Sequence, residues 1–242
     1  ELQDVPVAIS AFNEKAIDAR QLITVEDLSF AAPNVSLDQV GTTPGVQNFS
    51  IRGLGLVSSI PSVDPTVGLF VDGVYLGVSA GVVVDTFDLE SVEILRGPQG
   101  LLFGRNVTGG AVLLRSKRPT GEFGAKAKLS YETGPQYTAA ASVEGALDSD
   151  KLAGKLSFYY KDDDGYFDNI ADPSRDLGAQ ETTMIRPSLL FTPSERLDVT
   201  VIYERGDLEG DGAVPQRALN PNPSVTSNNI FAEVDEPGAV DI

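Results

Sequence analysis

The side chains that most enzymes use for proton transfer and nucleophilic attack are missing from this chain. Its 242 residues include no histidine and no cysteine. That excludes a Ser-His-Asp triad, a Cys-His pair, a thiolate metal site and a histidine-ligated zinc or iron within the sequence. There is no Ser-x-x-Lys either. Carboxylates, hydroxyls, Lys, Arg and Tyr remain. Two carboxylates can hydrolyse a glycosidic bond, but no acid here has a context that singles it out. Asp162-Asp163-Asp164-Gly165 hints at a calcium loop. With Gly165 in the sixth place of an EF-hand, however, Tyr160 would be first and Ala171 twelfth, so the register fails and a solvated acidic loop is the better reading. Gly53-Leu54-Gly55 follows a strand as a dinucleotide fingerprint would, yet Ser58 replaces the third glycine and Pro61 opposes the helix. No catalytic residue, metal or cofactor is assigned. Two arginines stand out by position: Arg52 and Arg96 each end a short strand directly before a glycine.

The elements that would carry these residues fall into two halves. Eighteen Lys and Arg against 35 Asp and Glu leave a net charge of −17. The part after Gly121 carries −12 of it, from 10 basic and 22 acidic residues. Such a balance argues against nucleic acid and against peripheral binding to anionic lipid. No apolar run reaches the ~20 residues of a membrane helix, which leaves strands as a possible way across a bilayer. The chain opens at Glu1 without a basic and apolar leader, and this reads as a trimmed or processed start.

In the first half, Val5 to Ala11 reads as a strand. Asn13 caps a helix from Glu14 to Arg20, and Thr24 with Asp27 forms a weaker capping box for a second helix from Val25 to about Ala31. Gln47 to Arg52 reads as a strand. Leu69 to Leu76 is a hairpin turning on Asp72-Gly73. Ser91 to Arg118 organises the rest as strand, glycine-rich turn, apolar knuckle and strand. Gly97-Pro98 ends the first strand, Gly100, Gly104, Gly109 and Gly110 punctuate the turn, and Leu101 to Phe103 need something to pack against. Ile94, Leu102, Phe103, Val112 and Leu114 are the expected core.

After Gly121 the texture changes to strict alternation. Phe123 to Tyr131, Tyr137 to Leu147, Leu152 to Lys161, Gln180 to Thr192 and Leu197 to Tyr203 each lie near the ~9–11-residue scale of a tilted transmembrane strand, Gln180 to Thr192 being less cleanly patterned and interrupted by Pro187. Leu129, Tyr131, Leu156, Phe158, Val199 and Val201 are expected on one apolar face. Turns at Asp148–Asp150 and Pro193–Glu195 are short, and outer loops near 162–179 and from 207 to 242 are long. An ordinary antiparallel sheet has the same period, but short turns at one end and long loops at the other suit an outer-membrane barrel, with Gly134-Pro135 a short exception on the long-loop end.

The stretch L-R-G-P-Q-G-L-L-F-G-R-N-V-T-G-G-A-V, Leu95 to Val112 with Arg105 in it, resembles the plug domain of TonB-dependent outer-membrane receptors. Phe49 to Gly53, Val67 to Val74 and Leu2 to Ile9 resemble further plug motifs, in the family's order. The resemblance implies an α+β plug domain over residues 1–119. Antiparallel β strands of an incomplete transmembrane β-barrel follow over 120–242, about five of them. It implies a bacterial outer-membrane location and energy-dependent uptake of a scarce nutrient such as an iron–siderophore complex. The implied partners are that small-molecule ligand, outer-membrane lipid, and TonB through a segment before Glu1. It also implies that Arg52 and Arg96 latch the plug to glutamates of the barrel wall. Plug loops around Thr42–Gln47, Leu56–Asp64 and Gly77–Val82 are the expected ligand contacts. The alternatives are a secreted β-rich carbohydrate-active enzyme and a surface adhesion domain.

Overall fold

A computed structural model describes residues 8–39, 45–55, 64–77, 86–104, 107–133, 136–148, 151–165, 167–169 and 177–211, with three two-residue strands beyond them. The N-terminal half is built on a five-stranded mixed sheet of β1 (Ala8–Asn13), β4 (Val67–Val71), β5 (Val74–Leu76), β6 (Leu89–Arg96) and β7 (Gly110–Ser116). Its strand order is β1-β6-β7-β4-β5. Only β4 and β7 run parallel; the other neighbours pair antiparallel. A separate hairpin joins β2 (Val35–Gln39) to β3 (Gln47–Ile51). Three short helices complete this half: α1 (Glu14–Ala19), α2 (Leu28–Ala31) and α3 (Gly100–Phe103).

Local chemistry sets the helix starts. The Asn13 side chain accepts a hydrogen bond from Ala16 N at 2.9 Å, satisfying one of the free donors of the first turn. Asp27 accepts from Thr24 N at 2.8 Å and Ile23 N at 2.7 Å. It thereby supplies the acid arm of the expected capping box, while regular helix begins later than expected, at Leu28.

The two faces of this sheet bury different clusters. Val92, Ile94, Val112 and Leu114 pack under the α1–α2 segment and the β2–β3 hairpin, against Leu28, Leu37 and Ile51. Leu95, Ala111, Phe70 and Val107 lie on the other face, with Phe103 half-buried against them. Gly110 joins the sheet where no side chain fits: at φ 153° a Cβ would stand 2.3 Å from the Leu95 carbonyl oxygen. Leu102 departs from its expected place in the core. It is 74% exposed and Leu101 is fully exposed, because the single turn of α3 directs only Phe103 back to the sheet.

The second sheet contains β8 (Gly124–Glu132), β9 (Gln136–Asp148), β10 (Leu152–Asp163), β12 (Gln180–Ser194), β13 (Leu197–Ile202) and β14 (Arg205–Gly210). A two-residue β11 (Asp168–Asn169) pairs with β17 (Ala239–Val240), and β15 (Gln216–Arg217) with β16 (Ala232–Glu233). The main strands pair antiparallel in the order β13-β12-β10-β9-β8, and β14 also pairs β12. Ser188 opposes Ile202 and Ile185 opposes Arg205, so β13 and β14 keep one register along β12. Their break lies opposite Arg186-Pro187, where proline has no N–H to give the ladder. Pro187 therefore does not divide β12. Strand also continues through Asp207–Gly210, where a loop is expected from the sequence, and the turn at 193–195 shifts to Glu195-Arg196 because Pro193 and Ser194 still belong to β12.

Burial in this sheet is inverted. Leu129, Tyr131, Leu156, Phe158, Ile185, Leu189, Phe191, Val199 and Val201 are all exposed. Thr138, Lys155, Ser157, Thr182, Arg186 and Ser188 are buried. In water a half-buried sheet turns its apolar face inward, so this one is patterned for apolar surroundings outside and polar contents inside.

Candidate functional site

The glycine-rich segment places its residues on one connected stretch of backbone. Gly97 N donates to Gly109 O at 2.9 Å and Gln99 N to Val107 O at 2.9 Å, so the strand ends before and after the turn are tied across it. Pro98 lies between these ties, Gly100 opens α3, and Gly104 ends it at φ 88°. Gly109 N donates to Thr66 O at 2.8 Å, which fixes β7 beside the start of β4. Arg105 lies outside the described residues. So do most of the loops around Thr42–Gln47, Leu56–Asp64 and Gly77–Val82.

Asp72 and Gly73 adopt φ 50° and 84° between β4 and β5, the two-residue turn that a hairpin of this twist requires. Asp72 does a second job that its motif does not advertise: its carboxylate accepts from Ser116 N at 2.8 Å, holding the end of β7.

Arg52 and Arg96 come together. Arg52 and Gly53 form another positive-φ turn, at 55° and 77°, closed by the bridge from Ile51 to Leu54. The Arg52 backbone N–H donates to Asn34 O at 2.8 Å, and Arg96 Nη1 donates to the adjacent Pro33 O at 3.4 Å. Arg52 Nη1 also lies 3.6 Å from the position a Cβ on Gly97 would occupy. Arg96 Nη2 donates to Ser10 Oγ at 2.9 Å, while its Nε is buried without a partner. Among the described residues no salt bridge joins either arginine to a carboxylate.

Among the described residues, a buried polar contact between the two halves lies elsewhere, at Thr86-Phe87-Asp88 before β6. Asp88 and Lys155 form a buried ion pair, and Ser157 Oγ donates to the second Asp88 oxygen at 2.5 Å. Lys155 also donates to Lys117 O at 3.4 Å, and Lys117 N donates back to Asp88 O at 3.0 Å. Asp88 itself stands at φ 61°, in the left-handed region. Phe87 packs with Ala140, Tyr159 and Met184 of the second sheet's buried face, and Arg186 Nη1 reaches its carbonyl at 3.5 Å. On the other side Thr86 Oγ1 donates to Leu22 O at 2.5 Å and Ile23 O at 2.8 Å. Looser pairs join α1 to Lys126 of β8 and to Lys117, just after β7. Lys126 meets Asp18 at 3.0 Å and Glu14 at 3.4 Å, and Lys117 meets Glu14 at 3.2 Å, all half-exposed and weak for that reason.

Neither Asp88 nor Lys155 lies in a motif that singles it out in the sequence. The available signal is Lys155 and Ser157 on the polar side of an alternating strand, two places apart and so on one face. Nothing in the alternation tells which acid they meet.

Three comparisons bear on this architecture. Residues 1–111 match the model of the TonB-dependent receptor plug domain. A ferrioxamine B receptor of Salmonella typhimurium is 28% identical over 244 residues, covering 96% of this chain and 32% of the relative. A vitamin B12 transporter of Vibrio vulnificus is 30% identical over 176 residues, covering 67% of this chain and 28% of the relative. The chain thus spans about a third of the length of the curated relatives it matches. Among solved structures, the ferric yersiniabactin uptake receptor of Yersinia pestis superposes with a TM-score of 0.74 at 22% identity, over 84% of this chain and 32% of that one. The ferripyoverdine receptor of Pseudomonas aeruginosa gives 0.71 at 21%, over 95% and 30%. At these identities the structural likeness establishes the fold.

Proposed function

The chain belongs to the TonB-dependent receptors, and from that premise we propose that it is the plug and first barrel strands of an outer-membrane receptor importing a scarce nutrient as an iron–siderophore complex. The observation that carries this reading is the inverted sheet beside a plug. A wall with Leu129, Phe158 and Leu189 outward and Lys155, Ser157 and Arg186 inward suits lipid on one side and a polar domain on the other. The names of similar proteins, receptors for ferrioxamine B and ferripyoverdine, support an iron chelate as solute. The work is binding and gated transport rather than bond chemistry.

In this reading residues 1–119 are the plug and 120–242 begin the barrel. TonB favours a plug state that holds solute less tightly, since only a difference in affinity between two states can drive release. Arg52 and Arg96, gathered around Pro33-Asn34, form a latch toward glutamates of the wall, where a guanidinium fork binds carboxylate in two places.

The test is uptake of radio-iron-labelled ferrioxamine B by iron-starved cells whose only siderophore receptor carries this chain, with and without TonB. Uptake that requires TonB supports the proposal. A protein that fractionates as a soluble monomer would sink it. Arg52→Glu with Arg96→Glu should speed hydrogen exchange in the plug; unchanged exchange and uptake would remove both from the latch.

A further inference from the structure

We propose that Thr86-Phe87-Asp88 is the pin that holds the plug to the barrel wall, and that the plug parts from the wall on the far side, along the space facing β13. The proposal deepens the receptor reading and rests on it for the second sheet being a barrel wall.

The two sides of the plug meet the wall differently. At the pin the contact is buried and charged. Asp88 has both carboxylate oxygens engaged, one by Lys155 and one by Ser157, and all three residues are buried. A buried ion pair with one partner removed leaves a charge in low dielectric, so the pair separates far less readily than a surface bridge. The adjacent Phe87 is seated among Ala140, Tyr159 and Met184, which adds apolar contact at the same point. Thr86 ties the segment inward to Leu22 and Ile23, so three consecutive residues link the plug's interior to three strands of the wall. Asp88 occupies the left-handed region, which aspartate tolerates better than most side chains. That conformation sets its carboxylate against β10 directly before β6 begins.

Toward β13 the arrangement is open. A space of about 630 Å³ separates Glu93, Leu113 and Arg115 of the plug sheet from Thr200 and Ile202 of β13. Its plug side carries charges of both signs, Glu93 and Arg115, which water can hydrate as the plug shifts. β6 spans both regions, from the pin at its start to Glu93 further along, so it is the natural lever between them.

Residues 1–242 contain no cysteine, so a disulfide engineered within them meets no competing thiol of this segment. Phe87→Cys with Ala140→Cys ties the pin while leaving Asp88 and Lys155 in place. Hydrogen exchange of plug amides 91–116 is measured in native outer-membrane vesicles, oxidised and reduced, alone and with Asp88→Asn. If the pin stays closed, oxidation alone leaves these amides unchanged. Asp88→Asn in the reduced protein then raises their exchange by about tenfold or more, through added local opening, and oxidation reverses that rise. The reversal separates loss of the pin from a general failure to fold. Oxidation alone slowing the plug amides about tenfold, meaning that the contact opens spontaneously, would overturn the proposal. So would unchanged exchange in Asp88→Asn. A chain found outside the membrane sinks the receptor reading instead, before any exchange is measured.

Discussion

The two sheets of this molecule obey opposite burial rules. In the N-terminal sheet Val92, Ile94 and Val112 are fully buried and the helices cover them. In the second sheet Met184 is fully buried, but its inward neighbours are Thr182 and Arg186, and Leu129 stands 83% exposed on the other side. The alternation has period two in both. What differs is the solvent each face is matched to. The first sheet is folded against water, and its stability comes from removing apolar surface from it. The second has its apolar face where lipid tails would lie, so transfer from water cannot order its inward residues. They are ordered instead by polar contact with the first sheet, through Asp88, Phe87 and the α1 carboxylates. Each half thus completes a surface that the other cannot satisfy alone.

That contrast can be broken at its joint, and the largest effect is expected there. Lys155→Ala strands Asp88 in the seam and should destabilise the plug's seating by about 3–5 kcal/mol. Denaturant titration followed by plug hydrogen exchange measures it; a loss near that of a surface bridge would mean that the seam is wet. Next, Ile94→Ala in the apolar core should cost about 2–5 kcal/mol as transfer and cavity terms add. Thermal unfolding reads it, and an Ile94→Ala protein of parental stability would contradict the assigned core.

The outward face offers the sharpest distinction between water and lipid. Phe158→Arg, at mid-strand in β10, should cost about 2–4 kcal/mol in bilayers. On a water-facing sheet the same surface change would stay within about 0.5 kcal/mol. Refolding titrations into lipid vesicles separate the two, and a small effect there would return the second sheet to the soluble class. The smallest change is confined to the first half. Asn13→Ala removes the α1 cap and should cost about 1 kcal/mol, visible as faster exchange at Ala16 with β10 unaffected. Equal loss in both sheets would show that α1 carries more of the seam than its half-exposed ion pairs suggest.

Much of this was legible from the residues. Gly97 to Gly110 announced a turn crowded by neighbouring backbone, and Asp72-Gly73 a hairpin, because each demands backbone geometry that few residues supply. Alternation from Phe123 onward marked strands and sorted their faces, since consecutive side chains must point oppositely. Local pattern alone therefore determined the strand types, the helix cap at Asn13 and which residues share the apolar face, while the structure turned that face outward. It misplaced Leu102, because an apolar run does not say how many of its members a single helical turn can return to the sheet. It took Pro187 as an interruption, because sequence does not show that the lost donor falls opposite a break in the neighbouring strand. Only the tertiary structure brought Arg52 and Arg96 to the same carbonyl pair, and Asp88 to Lys155 across 67 positions of chain. Partners so distant in sequence are chosen by how two sheets dock, and no local preference of either residue encodes that choice.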